Sequence, residues 1–122
     1  GAISWLVSFA PKGMAGEIDF IFQEKSSFFE LTEANFDELL RGLSKIFNYL
    51  YLNNFMSFNM SLYAPLINDK HFWVQGKIVP RFEINPLGTS DLNYFEKLHN
   101  EIICPVVPEQ LCKELQPFFT AS

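Results

Sequence analysis

The chain has 122 residues, of which 48% are hydrophobic, and a net charge of -5. These values are typical of one folded, acidic domain, and they argue against a disordered segment or a two-domain chain. The 9 basic residues are scattered among 14 acidic ones, which argues against nucleic acid as a partner. No apolar run approaches the ~18 residues of a membrane span, so we expect a cytoplasmic protein that makes no membrane contact.

The first strands are short and alternate in polarity. Residues 5–10 read as one strand, which Pro11 and the following glycines stop. Residues 17–24 read as a second strand, with Ile18, Phe20 and Phe22 on one face. We therefore expect two strands near the amino terminus, the second with a buried apolar face.

A long amphipathic helix follows. Thr32 can cap its first turn with the side-chain hydroxyl, and Leu31 and Phe36 have the spacing of a hydrophobic staple. The predicted apolar face repeats every three or four residues and comprises Phe36, Leu39, Leu40, Leu43, Ile46, Phe47 and Leu50. The helix is expected to end at residues 53–54 (Asn-Asn) and to cover one face of a sheet.

Two further strands are predicted to pair with each other. Residues 56–63 alternate between apolar and polar side chains, and residues 71–81 return as the antiparallel partner. In the returning strand side chains are expected to alternate between two faces: Phe72, Val74, Gly76 and Ile78 on one, and Trp73, Gln75, Lys77 and Val79 on the other.

The last third of the sequence is more mixed. Residues 85–88 are predicted as a loop, residues 91–98 as a short helix and residues 102–104 as a final strand. Pro108 then opens a last helix that runs to about Leu115. The element order predicts an α+β domain: an antiparallel sheet of about five strands, one long helix packed on a face and a short C-terminal helix.

Neither a metal site nor a disulfide is expected. Cys104 and Cys112 are interpreted as reduced thiols that face the core. The carboxylates of Glu17, Asp19, Glu24 and Glu83 lack a metal-ligand spacing with histidine, so we predict no metal and no cofactor. The 14 phenylalanines indicate an aromatic core or an aromatic partner surface.

Several short stretches occur in the order and spacing of one known family. They are residues 26–32 (SSFFELT), 58–65 (FNMSLYAP), 78–81 (IVPR), 95–96 (FE), 103–105 (ICP) and 108–109 (PE). Together they resemble the histidine triad (HIT-like) superfamily, in particular the C-terminal half of galactose-1-phosphate uridylyltransferase. The resemblance covers nearly the whole chain and implies a single HIT-like domain over residues 1–122. Since the sequence starts at Gly1 and not at Met, we also expect a fragment or one half of a two-domain transferase-like protein.

The chain departs from that family at its reactive residues. In the superfamily three alternating histidines precede the Pro-Arg strand end, and one attacks the α-phosphorus of a nucleotide. Counted back from Pro80, those places fall at Trp73, Gln75 and Lys77. An indole, a carboxamide and a protonated amine supply no nucleophile at neutral pH, so we predict no catalytic residue. His71 lies about 6–7 Å before the first place, too remote to be favoured as a displaced nucleophile.

Five residues are candidates for a retained ligand site: Asn59, Trp73, Gln75, Lys77 and Arg81. Lys77 and Arg81 could hold a phosphate, Asn59 could lie near a nucleotide as in the family, and Trp73 could stack on a base. Each also has a structural reading: solvated charges, an asparagine of the sheet surface, and an aromatic ring that fills a lost site. His99 is interpreted as a surface histidine.

Two hypotheses of function remain. In the first, the chain is a non-catalytic half that forms a homodimer or joins a second HIT-like half. In the second, it binds a nucleotide or sugar phosphate through Asn59, Lys77 and Arg81. Catalysis is expected only with another half, as a nucleotidyltransferase or hydrolase.

Overall fold

Four short strands form one antiparallel sheet in the computed structural model, which describes residues 1–13, 15–66, 69–81 and 106–121. In chain order the elements are β1 (Ile3–Val7), β2 (Ile18–Phe22), a 3-10 turn (Phe28–Glu30), α1 (Glu33–Leu52), β3 (Phe58–Tyr63), β4 (Gln75–Pro80) and α2 (Pro108–Thr120). Both helices contribute to one core cluster with β1, β2 and β4. The α+β class and the antiparallel sheet are therefore confirmed, with four strands in the described part of the chain instead of about five.

The sheet has the strand order β1-β2-β4-β3, so β4 is inserted between β2 and β3. Ile78 of β4 lies opposite Ile18 on one side and Met60 on the other. The predicted pairing of residues 56–63 with residues 71–81 is thereby confirmed. The loop of residues 85–88, the helix of residues 91–98 and the strand of residues 102–104 were predicted outside the described residues.

The first strand begins two residues earlier than predicted and ends at Val7. Its start is anchored by Glu38 of α1, whose carboxylate accepts the backbone N–H groups of Ala2 at 3.0 Å and Ile3 at 3.1 Å. Ile3 is buried in the core. This long-range anchor explains the difference, because no local sequence signal indicates it.

Both ends of α1 follow the local sequence signals. The Thr32 hydroxyl accepts the backbone N–H of Asn35 at 3.4 Å, and the Asn35 side chain accepts the backbone N–H of Thr32 at 3.0 Å. This reciprocal capping box satisfies two donors that the first turn leaves free. The last helical residue is Leu52, Asn53 is the C-cap, and Asn54 adopts a left-handed φ of 61° that stops the helix.

The buried face of α1 is rotated relative to the prediction. Leu39, Leu43, Ile46, Tyr49 and Leu50 are buried. Phe36 and Leu40, which were expected in the core, are 48% and 63% exposed. At 3.6 residues per turn they lie beside the buried stripe, on the flank that also carries Phe47.

The rotation of α1 follows from its contacts with α2 and β1. The Tyr49 ring packs edge-on against Phe118 of α2, with 5.8 Å between ring centroids. Gly42 lies directly under the indole ring of Trp5, where a Cβ atom would come within 2.1 Å of the ring. These partners draw the Gly42–Tyr49 side of the helix into the core.

The C-terminal helix starts at Pro108 as predicted but continues to Thr120 instead of ending near Leu115. Leu111 and Leu115 are buried, and Phe118 and Phe119 pack against the same core. This apolar face outweighs the cost of Pro117 inside the last turn, which explains why the shorter helix was predicted wrongly. Neither α1 nor α2, the helices of the described residues, is long and apolar enough to cross a membrane.

Candidate functional site

The sheet has a helix-covered face and a polar face, and the candidate residues of β4 lie on the polar face. Gly76 and Ile78 are buried under the helices, whereas Gln75, Lys77 and Val79 point to the opposite side and are half-buried. The alternation predicted for this strand is confirmed. Trp73 lies two residues before Gln75, the first residue of the strand, and is 39% exposed.

The Lys77 ammonium pairs with two carboxylates, one on β2 and one on the residue just before β2. Asp19 of β2 is its direct partner in the strand register, and the Lys77 Nζ lies 3.4 Å from Asp19 Oδ1. A closer ion pair joins Lys77 Nζ to Glu17 Oε1. The side chain of Glu17 is only 1% exposed, and its second oxygen accepts the backbone N–H of Lys12 at 2.8 Å.

The pKa values of the three groups reflect this arrangement. Burial raises the pKa of Glu17, but hydrogen bonds from Lys77 and from the Lys12 backbone outweigh it and lower the pKa overall. For Asp19, burial together with the charge of Glu17 outweighs the attraction of Lys77, so its pKa is raised. The hydrogen bond to Glu17 raises the pKa of Lys77 despite partial burial.

The cluster of Glu17, Asp19 and Lys77 provides no nucleophile at neutral pH. An amine becomes a nucleophile only when it loses its proton. The pKa of Lys77 is shifted in the opposite direction, so the ammonium stays protonated at neutral pH. Two carboxylates against one ammonium also leave the cluster with a net charge of about -1, which disfavours a phosphate beside Lys77.

The other candidate residues are more exposed. Asn59 lies on β3 opposite Val79, and its side chain is exposed. Arg81 directly follows β4, where its backbone N–H donates to Ser57 O at 2.9 Å, and its side chain is exposed as well. Asn59, Gln75 and Lys77 therefore share the polar face, with Trp73 and Arg81 beyond the two ends of β4.

Two predictions concern residues away from this face. Cys112 is exposed on α2, so its predicted core-facing orientation is wrong. The buried positions of that helix are Leu111 and Leu115, and a residue directly after Leu111 is turned about 100° away from it. Cys104 and His99 lie outside the described residues, and His71 is exposed in the turn before β4.

Sequence reasoning missed the role of Glu17 and Asp19. The two acidic residues alternate with the core residues Ile18 and Phe20, which indicates a polar strand face. Their proximity to Lys77 depends on the insertion of β4 beside β2, which no local pattern predicts. Within the described residues, no group of three potential ligands could hold a metal ion.

Comparison with known proteins identifies a distant relative but no family. No protein-family model matches the chain. An uncharacterized protein of Archaeoglobus fulgidus is 29% identical over 120 residues, which are 95% of this chain and 34% of that protein. The chain therefore spans about a third of the length of the relative that it matches.

Proposed function

We propose that this chain is a HIT-like domain without the catalytic triad, similar to the C-terminal half of galactose-1-phosphate uridylyltransferase. In this proposal it acts as a non-catalytic half that completes a homodimer or a longer, transferase-like protein. The observation that carries the proposal is the ion pairing of Lys77 with Glu17 and Asp19. Lys77 stands at the third of the three positions where the family has histidines.

The chemistry of these three positions supports the non-catalytic part of the proposal. Transfer through a covalent nucleotidyl intermediate needs a nucleophile and a proton donor for the leaving oxygen. The three positions provide an indole at Trp73, a carboxamide at Gln75 and a paired ammonium at Lys77. A buried ion pair in the place of a reactive group suits a supporting domain.

The apolar surface between β3 and α1 supports the partner part of the proposal. Phe58, Met60 and Leu62 of β3 lie on the helix side of the sheet, yet they are 41%, 42% and 43% exposed. Phe58 stacks on Phe47 of α1, with 4.7 Å between ring centroids, so this β3 surface continues onto the exposed flank of the helix. Contiguous apolar surface of this kind is typical of protein interfaces.

The relative from Archaeoglobus fulgidus is consistent with a domain that occurs inside a longer chain. About two thirds of that protein lies outside the match, since the alignment covers 34% of it. A domain of this kind would find its second half within the same polypeptide. An isolated copy would cover the β3 surface by pairing with another copy.

Two measurements test the proposal. The purified chain should release no labelled nucleotide from UDP-glucose or a dinucleoside polyphosphate, and it should form no labelled covalent adduct. In sedimentation velocity it should self-associate, and Met60→Glu should shift it to monomer because a charge is placed in the apolar interface. Ser61→Glu is the matched control, since it adds the same charge on the other face of β3.

Either of two results would count against the proposal. Nucleotide release by the isolated chain would end the non-catalytic assignment. A chain that stays monomeric at high concentration, with Met60→Glu indistinguishable from the parent, would remove the β3 surface as the interface.

A second candidate function is the binding of a nucleotide or sugar phosphate. It is favoured by Arg81, which is exposed and forms no ion pair within the described residues, at the same end of the sheet as the exposed Asn59. Calorimetric titration should then show binding of uridine or adenosine nucleotides. Arg81→Ala should abolish this binding, whereas Arg41→Ala, on the exposed side of α1, should not.

A further inference from the structure

The opposite edge of the sheet, β1, has features of a docking site for an extended peptide. We propose that a segment of a partner polypeptide, with an apolar side chain and an acidic side chain two residues from it, adds to β1 as a further strand. One of its apolar side chains would enter the cavity between β1 and α2. This site is separate from the polar face and from the β3 surface, so it goes beyond the function proposed above.

The backbone of β1 provides the first argument. Gln23 donates to Ala2 O at 2.8 Å and Ser8 donates to Glu17 O at 2.9 Å, which shows that even-numbered residues of β1 face β2. The N–H and C=O groups of Trp5 and Val7 therefore point away from β2, toward the edge where no strand pairs with β1 among the described residues. An extended chain is the ligand whose own backbone matches this alternation of donors and acceptors.

Beside this edge lies an apolar cavity of about 350 Å³ between β1 and α2. Trp5 and Val7 form one wall, and Leu115 and Phe119 of α2 form the other, with Cys112 also in the lining. A cavity next to an open sheet edge receives every second side chain of an added strand. The combination favours a peptide over a small apolar molecule, which would leave the backbone groups unpaired.

The charge around the cavity indicates the chemistry of the peptide. No lining residue of the cavity is charged, in a chain of net charge -5. The ammonium of Lys45 lies 5.2 Å from the centroid of the Phe119 ring, and it takes part in no ion pair within the described residues. An acidic side chain two residues from the inserted apolar one lies on the same face of the added strand, on the side of this cation.

Selection from a displayed library of short random peptides against the whole chain tests the proposal. Enriched peptides should alternate apolar and polar residues and contain Asp or Glu. They should protect Cys112 from alkylation, as mapped by mass spectrometry, and change the fluorescence of Trp5 in a Trp73→Phe background. Absence of enrichment, or enriched peptides that leave Cys112 reactive, would overturn the proposal.

Variants separate the two halves of the proposed contact. Cys112→Trp fills the cavity from an exposed helix position and should weaken peptide binding by about tenfold or more, whereas Cys112→Ser should leave it unchanged. Lys45→Glu should weaken binding of the acidic peptides. Equal binding by Cys112→Trp, with an unaltered circular dichroism spectrum, would overturn the cavity assignment.

Chemical modification of the peptide tests strand addition without changing the protein. N-methylation of alternate residues removes donors from one edge of the peptide, so one of the two alternating sets should abolish binding and the other should not. Equal effects of both sets would contradict strand addition. Protection of Cys112 in the protein alone, increasing with its concentration, would instead identify a second copy as the occupant and refute the proposal.

Discussion

Replacing Lys77 with methionine should destabilise the fold, because Lys77→Met leaves the Glu17 carboxylate buried without its cationic partner. Removal of one member of a buried pair typically costs about 3–5 kcal/mol. Glu17 keeps its hydrogen bond from the Lys12 backbone, and the Lys77 side chain is 28% exposed. We therefore expect a smaller loss, about 2–3 kcal/mol at pH 7, and a decrease in Tm of about 10 °C.

The pH dependence gives the sharper test of Lys77→Met. In the parent protein the pKa of Glu17 is lowered, so its stabilising contribution is present above the unfolded-state pKa of about 4.3 and is lost as the pH falls. Without Lys77, burial raises the pKa of Glu17, so protonation on acidification relieves the penalty. The stability difference between parent and variant should thus be largest near pH 7 and shrink toward pH 4.

Urea denaturation followed by circular dichroism at several pH values measures this difference. The double variant Glu17→Gln/Lys77→Met should recover part of the loss, since it leaves no unpaired charge on either residue. Lys12→Met is the matched control, because it removes an exposed ammonium near the cluster and keeps the backbone N–H that binds Glu17. A loss below about 0.5 kcal/mol for Lys77→Met, the range of ordinary surface substitutions, would refute the buried pair.

Three further substitutions test packing and hydrogen bonding in the helical layer. The pKa of Tyr49 is raised by burial and by its 2.7 Å hydrogen bond to Glu114, so the parent loses stability as the pH rises above 10. Tyr49→Phe should lose less stability over the same pH range, as measured by urea denaturation. Gly42→Ala should lower the free energy of unfolding by about 1 kcal/mol, because its methyl group overlaps the Trp5 indole and overpacking outweighs the higher helix propensity of alanine. Pro117→Ala should raise the free energy of unfolding by about 1–2 kcal/mol. This is less than a mid-helix proline costs, because position 117 lies in the last turn of α2. Calorimetry measures the changes for Gly42→Ala and Pro117→Ala.

Each of these substitutions has an exposed control on the same element. Tyr51→Phe should leave the alkaline profile unchanged, and Ser44→Ala and Lys113→Ala should shift Tm little. An alkaline profile of Tyr49→Phe identical to the parent would contradict the buried hydrogen bond. A stabilising Gly42→Ala would contradict the close contact with Trp5, and a destabilising Pro117→Ala would mean that the proline contributes packing that outweighs its missing N–H.

Local signals predicted both ends of α1 and the strand alternation well. The Thr32 cap and the stop at Asn53 depend on residues within one turn, so they can be inferred from sequence. The side chains of Gln75 and Lys77 were assigned to the correct sheet face, because alternation along an extended strand depends only on sequence position.

Features that depend on distant partners were not predictable in the same way. The rotation of α1, which exposes Phe36 and Leu40, is determined by what packs against Gly42 and Tyr49. The neutralisation of Lys77 requires β4 to lie beside β2, a pairing across nearly sixty residues of sequence. The sequence therefore indicated which face the candidate residues share, but not the carboxylate neighbours that alter their chemistry.

The late insertion of β4 between β2 and β3 has a consequence for biosynthesis. As the polypeptide leaves the ribosome, β1, β2 and α1 emerge first and can associate early, yet β3 then waits with no native neighbour until β4 follows. During that interval an unpaired strand with Phe58, Met60 and Leu62 on one side is open to pairing with other nascent chains. Slow translation between residues 63 and 75 would lengthen this interval. A chaperone that covers β3 would reduce its pairing with other nascent chains.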